Sequence, residues 1–174
     1  MDELIEIKKI DKAINDLGIE ILVPKNRLSL EASKKKMLKI FDSLSTAKGS
    51  KKFNPNKNAL KKLGIKLEKS KNGLSVDFEG TKYLYKIKGK EKNIVKIKLT
   101  GSDVFDFKLA NHLAGIKRKP KGYTWHHLDD YDPVTGICTM QLVETPIHVA
   151  CIPHYGGVRI LEIFLNFKYL TRRK

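Results

Sequence analysis

Several residue types and patterns are scarce in this chain, and each scarcity excludes a class of protein. Only two cysteines, Cys138 and Cys151, occur among 174 residues. That number is too small for a disulfide-rich scaffold, and it leaves open whether the two thiols form a bridge. No apolar run approaches the roughly 20 residues that a membrane-spanning helix requires. The first 18 residues mix acidic, basic and apolar side chains, which is not the pattern of a secretory signal peptide.

Acidic residues are also outnumbered. The chain has 35 lysines and arginines against 19 aspartates and glutamates, for a formal net charge of +16. Because each neutralised phosphate releases a condensed counterion, this excess favours a polyanionic partner, and nucleic acid is our first expectation. An anionic membrane surface or an acidic protein would satisfy the same charge.

The apolar pattern predicts an α+β protein with helices at its N-terminus. A period near 3.5 residues predicts a first helix that ends at Gly18 and a second helix at residues 29–44. An alternating pattern then predicts three strands of an antiparallel β-meander, at 74–78, 83–87 and 95–99.

The polar composition of residues 45–58 marks the best candidate for a linker. We therefore divide the chain into an N-terminal helical segment at 1–50, which is an entry module or a scaffold, and a second domain at 51–174. Within the second domain a helix is predicted at 103–115, just before the most histidine-rich part of the chain.

Four of the five histidines lie between Lys121 and Gly157. The segment YTWHH predicts a strand, DDYDPVTG a turn, ICTMQLV a second strand, and TPIHVAC a helix with Thr145 as its N-cap. Adjacent residues of a strand point to opposite faces, so His126 and His127 cannot have the same role.

The number and spacing of these histidines favour a metal site. Three imidazoles that converge from two elements suit a transition metal with an open coordination position, and a fourth that stays unligated suits a general base. His148 follows the predicted helix start, while His154 must come from the chain just past the helix end. The alternative is a set of core or surface histidines that lie together without a shared role.

The same stretch resembles the WHH branch of the HNH/endonuclease VII superfamily of nucleases. The resemblance covers about a third of the chain, residues 103–157. It implies a C-terminal ββα-metal (His-Me finger) nuclease core within the domain at 51–174. The residues that carry it are DF..AN..AG from Asp106 to Gly115, KGYTWHH, MQLV at 140–143, and His148 and His154 with the pair Gly156 and Gly157.

The resemblance also implies roles for individual residues. It makes His126 a metal ligand and His127 the base that activates water, with His148 and His154 as the second and third ligands. Gln141 stands near the position where such nucleases carry the asparagine that orients the base. The implied cofactor is one divalent metal ion, which the sequence leaves open among zinc, nickel and magnesium.

A basic run lies directly before the histidine doublet, and we expect it to contact DNA phosphates. As a run of like charges it equally fits a solvated loop. Its members are Lys117, Arg118, Lys119 and Lys121.

The expected function is that of a metal-dependent DNA endonuclease with little sequence preference. Proteins of this type are commonly effector domains of bacterial polymorphic toxins, so the resemblance implies a secreted or delivered toxin that acts in the cytoplasm of a target bacterium. With a charge of +16, its immunity protein is expected to be acidic. Two alternatives stay open: a basic DNA-binding module with a structural zinc site and no catalysis, and an RNase on the same scaffold.

Overall fold

The computed structural model describes residues 2–46, 57–65, 74–152 and 154–171. None of the helices in these ranges is long and apolar enough to cross a membrane. In chain order the elements are α1 (Glu3–Asp16), α2 (Leu30–Thr46), α3 (Lys57–Lys62), β1 (Ile94–Lys98), α4 (Asp103–Leu113), β2 (Tyr123–His127), β3 (Ile137–Glu144), α5 (Thr145–Ala150) and α6 (Gly157–Leu165). This mixture of a small sheet and helices confirms the predicted α+β class.

The two N-terminal helices form where the apolar period predicts them. The carboxylate of Asp2 caps α1 by accepting a hydrogen bond from the backbone N–H of Leu4 at 3.2 Å. The chain leaves α1 through Gly18, whose φ of +61° is a left-handed conformation that glycine adopts without strain. Each helix buries one apolar face, and the buried residues are Ile10, Ala13 and Ile14 in α1 and Met37, Ile40 and Leu44 in α2.

The sheet has three antiparallel strands in the order β1-β3-β2. The predicted hairpin forms β2 and β3, and it pairs His126 with Gln141 and His127 with Met140. The central strand β3 is covered on both sides, since six consecutive residues, 138–143, are buried. This hairpin and the helix α5 that follows it are the ββα arrangement that the sequence predicted.

The predicted β-meander is wrong in two of its three strands. Only the last one forms a strand, β1, and it pairs with β3 rather than with a neighbour in sequence. Leu84 makes an isolated bridge to Val143, and the 74–78 segment contributes no strand. The alternation in 74–78 has another cause: Leu74, Val76 and Phe78 are fully buried in the core. The predicted turn at 72–73 lies outside the described residues.

Two apolar clusters form the core. The larger one joins both N-terminal helices to the sheet, α4 and α6, so that Ile10 and Met37 share it with Val95 and Ile160. The smaller one lies between α3, the 76–84 segment and α5. The division of the chain at residue 50 stays a prediction, to which the structure adds that residues on both sides of it share one core. Cys138 and Cys151 lie in different clusters and form no disulfide.

Trp125 anchors β2 to the helix α4. Its side chain is 1% exposed, and its indole Nε1–H donates to Oδ1 of Asn111 at 2.8 Å. A buried indole nitrogen needs such an acceptor, because an unpaired N–H in the core costs free energy. The strand β2, which carries the histidine doublet, is therefore joined to α4 by this side-chain hydrogen bond as well as by packing.

Asn111→Ala is expected to lower the free energy of unfolding by about 1–3 kcal/mol, because it leaves the buried indole N–H without its acceptor. Urea denaturation measures this value. The matched control is His112→Ala, an exposed neighbour on the same helix, which should change the value by less than about 0.5 kcal/mol. Equal effects of the two substitutions would contradict the anchoring role of Asn111.

Candidate active site

Three of the four clustered histidines converge on one point. His126 comes from β2, His148 from α5, and His154 from the chain beyond α5. Their ring centroids are 4.8–5.2 Å apart, and one ring nitrogen of each lies within 4.8 Å of the others. The structure thus brings together the three residues that the sequence predicted as metal ligands.

Hydrogen bonding determines which ring nitrogen of His126 carries the proton and which keeps its lone pair. Its Nε2–H donates to the carbonyl oxygen of Val76 at 2.9 Å, and Oγ of Ser75 lies 3.0 Å from the same nitrogen. A carbonyl oxygen can only accept, so Nε2 carries the proton and Nδ1 keeps its lone pair. That Nδ1 is buried and has no hydrogen-bond partner. An orphaned acceptor beside two other imidazoles has the chemistry of a metal ligand.

Burial keeps His126 neutral. It lowers the pKa of His126 well below the usual 6.5, and the nearby His154 and His148 lower it further. The hydrogen bond to Val76 opposes this shift but does not reverse it. A neutral imidazole is the form that binds a metal ion, so the environment of His126 prepares it for this role at neutral pH.

The other two histidines are placed by the short helix α5 and by a close backbone approach. α5 begins at Thr145, with Glu144 rather than Thr145 at the N-cap position, and the Thr145 hydroxyl lies 2.8 Å from the Thr124 hydroxyl on β2. Nδ1–H of His154 donates to the carbonyl oxygen of Cys151 at 3.3 Å, so Nε2 is the ring nitrogen that carries the lone pair. Pro153, which separates α5 from His154 in sequence, lies outside the described residues.

Glycine is required where the chain passes the end of β2. A Cβ at Gly156 would lie 2.5 Å from the carbonyl oxygen of His127, and one at Gly157 would lie 2.5 Å from Sγ of Cys138. The N–H of Gly157 donates to the carbonyl oxygen of Leu128 at 2.7 Å. The glycine pair therefore lets the segment with His154 approach the histidine doublet.

The three histidines fit a transition metal. Imidazole nitrogens suit zinc, nickel, copper and iron better than magnesium, which prefers oxygen ligands. At metal–nitrogen distances of about 2.0–2.1 Å, small shifts of the rings suffice for one ion to be shared. Within the described part of the chain, no fourth histidine, cysteine or carboxylate belongs to this group, so a bound ion would keep a position for water or phosphate.

His127 points to the opposite face of β2 and has a different partner. Its Nε2–H donates to Oδ2 of Asp106 at 2.9 Å, and its side chain is 12% exposed. Asp106 lies on α4 and is fully buried. The motif DF..AN..AG contains this aspartate, but no role was predicted for it. A carboxylate among the apolar residues of a helix was the available signal.

Asp103, Asp106 and His127 form a second group whose potential ligand atoms lie within 4.8 Å of one another. The oxygens of Asp106 argue against a metal ion in this group. Oδ2 accepts from His127, and Oδ1 accepts from both the backbone N–H and the hydroxyl of Thr100, at 2.9 and 2.7 Å. The hydroxyl of Tyr169 also donates to Oδ2, so four donors occupy the lone pairs that an ion would need.

A groove of about 400 Å³ joins the two halves of the site. It is lined by the three clustered histidines and by His127, together with residues of α4 and α6. Arg159 is the only lysine or arginine among the described residues of its wall. Its guanidinium lies 3.9 Å from the carboxylate of Glu162 and is 55% exposed, so it can reach an anion in the groove. Sequence reasoning missed Arg159 because a single arginine in an apolar helix carries no distinctive pattern.

Gln141 does not contact the predicted base. It pairs with His126 across the hairpin and therefore lies on the face of the sheet away from His127. Its Oε1 accepts from the N–H of Phe78 at 3.0 Å, and its Nε2 donates to Asp77 at 2.6 Å. The side chain that contacts His127 is that of Asp106, whereas Gln141 fixes the 77–78 segment beside the site.

The predicted DNA-binding residues lie at the other end of β2 from the histidine doublet, and none of them lines the groove. Lys117, Arg118 and Lys121 are exposed. Nζ of Lys119 instead donates to the carbonyl oxygen of Tyr123 at 2.6 Å, which holds the loop against β2. Their contact with DNA stays a prediction, and for this geometry it would involve phosphates away from the reacting bond.

One comparison with known proteins gives a match, and it falls on the histidine-rich segment. Residues 115–162 match a family model described as a nuclease of the HNH/ENDO VII superfamily with conserved WHH. The match spans little more than a quarter of the chain and contains Trp125, His126, His127, His148 and His154. No curated protein and no solved structure gave a significant match. The resemblance predicted from the sequence is therefore confirmed for this segment.

The metal-free protein is expected to lose stability as the pH falls below about 6.5. In the unfolded chain His126 binds a proton near its ordinary pKa of 6.5, whereas the folded state keeps a much lower pKa. Above that pH both states are neutral and no stability is lost; below it, unfolding becomes easier by up to about 1.4 kcal/mol per pH unit. Urea denaturation between neutral and mildly acidic pH, with chelator present, measures this slope.

His126→Gln should remove that part of the pH dependence, whereas His112→Gln, which replaces an exposed histidine of α4, should keep it. The same slope in His126→Gln as in the unaltered protein would show that burial of His126 is not its cause.

Proposed function

We propose that this protein is a metal-dependent endonuclease that hydrolyses phosphodiester bonds of DNA with little sequence preference. The observation that carries the proposal is the joint placement of two different histidine environments in one groove. Three histidines offer ligand nitrogens to a single point, and His127 stands beside them with a carboxylate partner. A structural metal site alone would not need the second environment.

His126, through Nδ1, would hold the metal together with His148 and His154. When bound, the divalent ion supplies a Lewis acid that stabilises the charge developing on the phosphate and on the leaving oxygen. The all-imidazole donor set favours zinc or nickel over magnesium as that ion.

His127 would act as the general base. Its Nε2–H is engaged by Asp106, so Nδ1 is the nitrogen that can accept a proton. The base takes a proton from water as the water oxygen forms a bond to phosphorus. The bond between phosphorus and the 3′ oxygen then breaks, and that oxygen takes a proton from solvent. The products are a 3′-hydroxyl and a 5′-phosphate.

Arg159 and the net charge of +16 would provide the electrostatic attraction for the nucleic acid backbone. Arg159 can contact a phosphate inside the groove, and Lys117, Arg118 and Lys121 can contact phosphates farther along the duplex. These groups recognise charge rather than base edges, which is the reason for the weak sequence preference that we propose.

A DNA-binding module with a structural zinc site is less well supported. Such sites are usually closed by four protein ligands, whereas the group in the described residues has three. An RNase on the same scaffold differs only in substrate, and cleavage of matched DNA and RNA distinguishes the two.

The biological role that we propose is that of a toxin effector delivered into the cytoplasm of a target bacterium and neutralised by an acidic immunity protein. The resemblance to WHH nucleases, which are commonly toxin domains, supports the first part. The charge of +16 supports the second part, since opposite charge accelerates association.

Protein stripped with chelator is expected to leave plasmid DNA intact, and resupply of Zn²⁺ or Ni²⁺ should restore nicking more effectively than Mg²⁺. His127→Ala should lower the cleavage rate by about 10²–10⁴-fold, the usual contribution of a general base. The matched control is His112→Ala, which removes an exposed histidine outside the groove and should cleave at the unaltered rate. A parallel assay on RNA of the same sequence tests substrate choice.

Two results would contradict the proposal. If DNA is retarded in a gel but never cut with any of the three metals, the protein is a binding module. If His127→Ala cleaves as fast as His112→Ala, the base has been assigned to the wrong residue.

A further inference from the structure

The carboxylate of Asp106 accepts four hydrogen bonds, which is more than is needed to hold α4 in place. The Asp106 side chain is fully buried. Oδ1 accepts from the N–H and the hydroxyl of Thr100, and Oδ2 accepts from Nε2–H of His127 and from the hydroxyl of Tyr169. Among the described ion pairs, His127 is the only basic partner of this carboxylate. A buried carboxylate costs several kcal/mol unless it is satisfied in this way, and a purely structural position would not need its charge.

The Tyr169 hydroxyl reaches Asp106 because the C-terminal segment, residues 166–171, is hydrogen-bonded to the start of α4. The N–H of Asp103 donates to the carbonyl oxygen of Leu170 at 3.0 Å, and the N–H of Leu170 donates to that of Gly101 at 2.9 Å. The N–H of Tyr169 also donates to the carboxylate of Glu162 at 3.2 Å. Tyr169 is 3% exposed, so its ring is held in the core with the hydroxyl at the carboxylate.

The three residues that form the surroundings of the His127 imidazole, Thr100, Asp106 and Tyr169, lie outside the segment that matches the nuclease family. The match covers residues 115–162 and includes His127, whereas Thr100 and Asp106 precede it and Tyr169 follows it. The base itself thus belongs to the matched unit, and its surroundings are supplied by the flanking chain on both sides.

We propose that Asp106 is the positioning residue of the general base, and that Tyr169 and Thr100 hold its carboxylate so that His127 keeps its proton on Nε2 and offers Nδ1 as the basic nitrogen. This inference rests on the proposed role of His127. A carboxylate fixed by three other donors cannot rotate away from His127, and it accepts only from the Nε2–H tautomer. The C-terminal segment is therefore part of the active site, although it touches no substrate.

Two substitutions and one control test this assignment. Asp106→Asn keeps the shape of the side chain but presents an amide to His127. Tyr169→Phe removes one hydroxyl and keeps the buried ring. Tyr85→Phe is the matched control, because it removes a hydroxyl that donates to another carboxylate, that of Glu91, at 3.2 Å and outside the groove.

With the metal that supports cleavage bound, Asp106→Asn is expected to lower kcat by about 10²–10⁴-fold. Tyr169→Phe should lower kcat by about 2- to 10-fold, the equivalent of one hydrogen bond. KM for DNA and the dissociation constant of the metal should stay unchanged in both variants. Tyr85→Phe should have the unaltered kcat.

Nitrogen NMR of the imidazole rings gives a second readout that does not depend on cleavage. At alkaline pH, where imidazoles are neutral, His127 of the unaltered protein should show the Nε2–H tautomer. Asp106→Asn should shift His127 toward the Nδ1–H tautomer, because an amide NH₂ donates a hydrogen bond where the carboxylate oxygen accepted one. Should Asp106→Asn fail to fold, Tyr169→Phe still decides through its kcat.

The proposal is overturned if His127 of the unaltered protein carries its proton on Nδ1, or if folded Asp106→Asn and Tyr169→Phe keep full kcat. It is also overturned if their loss lies in KM or in metal affinity alone, since that would indicate a structural role. Absence of cleavage by the unaltered protein with every metal would refute the proposed function instead, and the tautomer spectra would then decide the present proposal separately.

Discussion

Adjacent side chains of a β-strand point to opposite faces, and the whole site depends on this constraint at the histidine doublet. His126 turns toward α5 and the chain beyond it, where His148 and His154 complete the ligand group. His127 turns toward α4, where the carboxylate of Asp106 accepts a hydrogen bond from its Nε2–H. One strand thus serves two chemical environments that are one residue apart in sequence. A shift of β2 by one residue against β3 would exchange the two histidines and abolish both environments.

The cost of burying His126 explains much of the structure around it. The 74–78 segment supplies the carbonyl oxygen of Val76 to its Nε2–H, and this segment is itself fixed from two sides. The N–H of Leu74 donates to the buried carboxylate of Asp129 at 2.9 Å, and its carbonyl oxygen accepts from the N–H of Tyr155 at 2.8 Å. On the imidazole of His126, Nδ1 remains without a hydrogen-bond partner, and a buried polar group without a partner costs about 1–3 kcal/mol. A bound metal ion would offset that cost and would thereby couple folding to metal binding.

The parts of the site that the sequence predicted are those that local patterns define. Turn residues between two β-favouring segments predicted the hairpin, and Pro146 near a helix start predicted α5. Together they placed His126 near His148. For His154 the pattern predicted only that it comes from the chain past the helix end, and the family resemblance implied that it lies with the other two histidines.

The parts that the sequence did not predict depend on contacts between distant residues. Asp106 meets His127 across 21 positions, and Tyr169 meets Asp106 across 63; no spacing rule relates such pairs. Two strands of the predicted β-meander were wrong, because apolar residues that alternate in sequence can be buried in the core without strand pairing. Gln141 was expected beside the general base, His127. In the strand register, however, Gln141 is paired with His126 and therefore lies on the same face of the sheet as His126.

Anomalous X-ray diffraction from crystals grown with Zn²⁺ or Ni²⁺ would locate a bound ion and identify its element. We expect one strong peak bonded to Nδ1 of His126 and to His148 and His154, with a remaining coordination position held by water or another small ligand. His127 should stay unligated beside Asp106. A peak with four protein ligands, an ion held by Asp103, Asp106 and His127, or no peak at the three histidines would contradict this expectation.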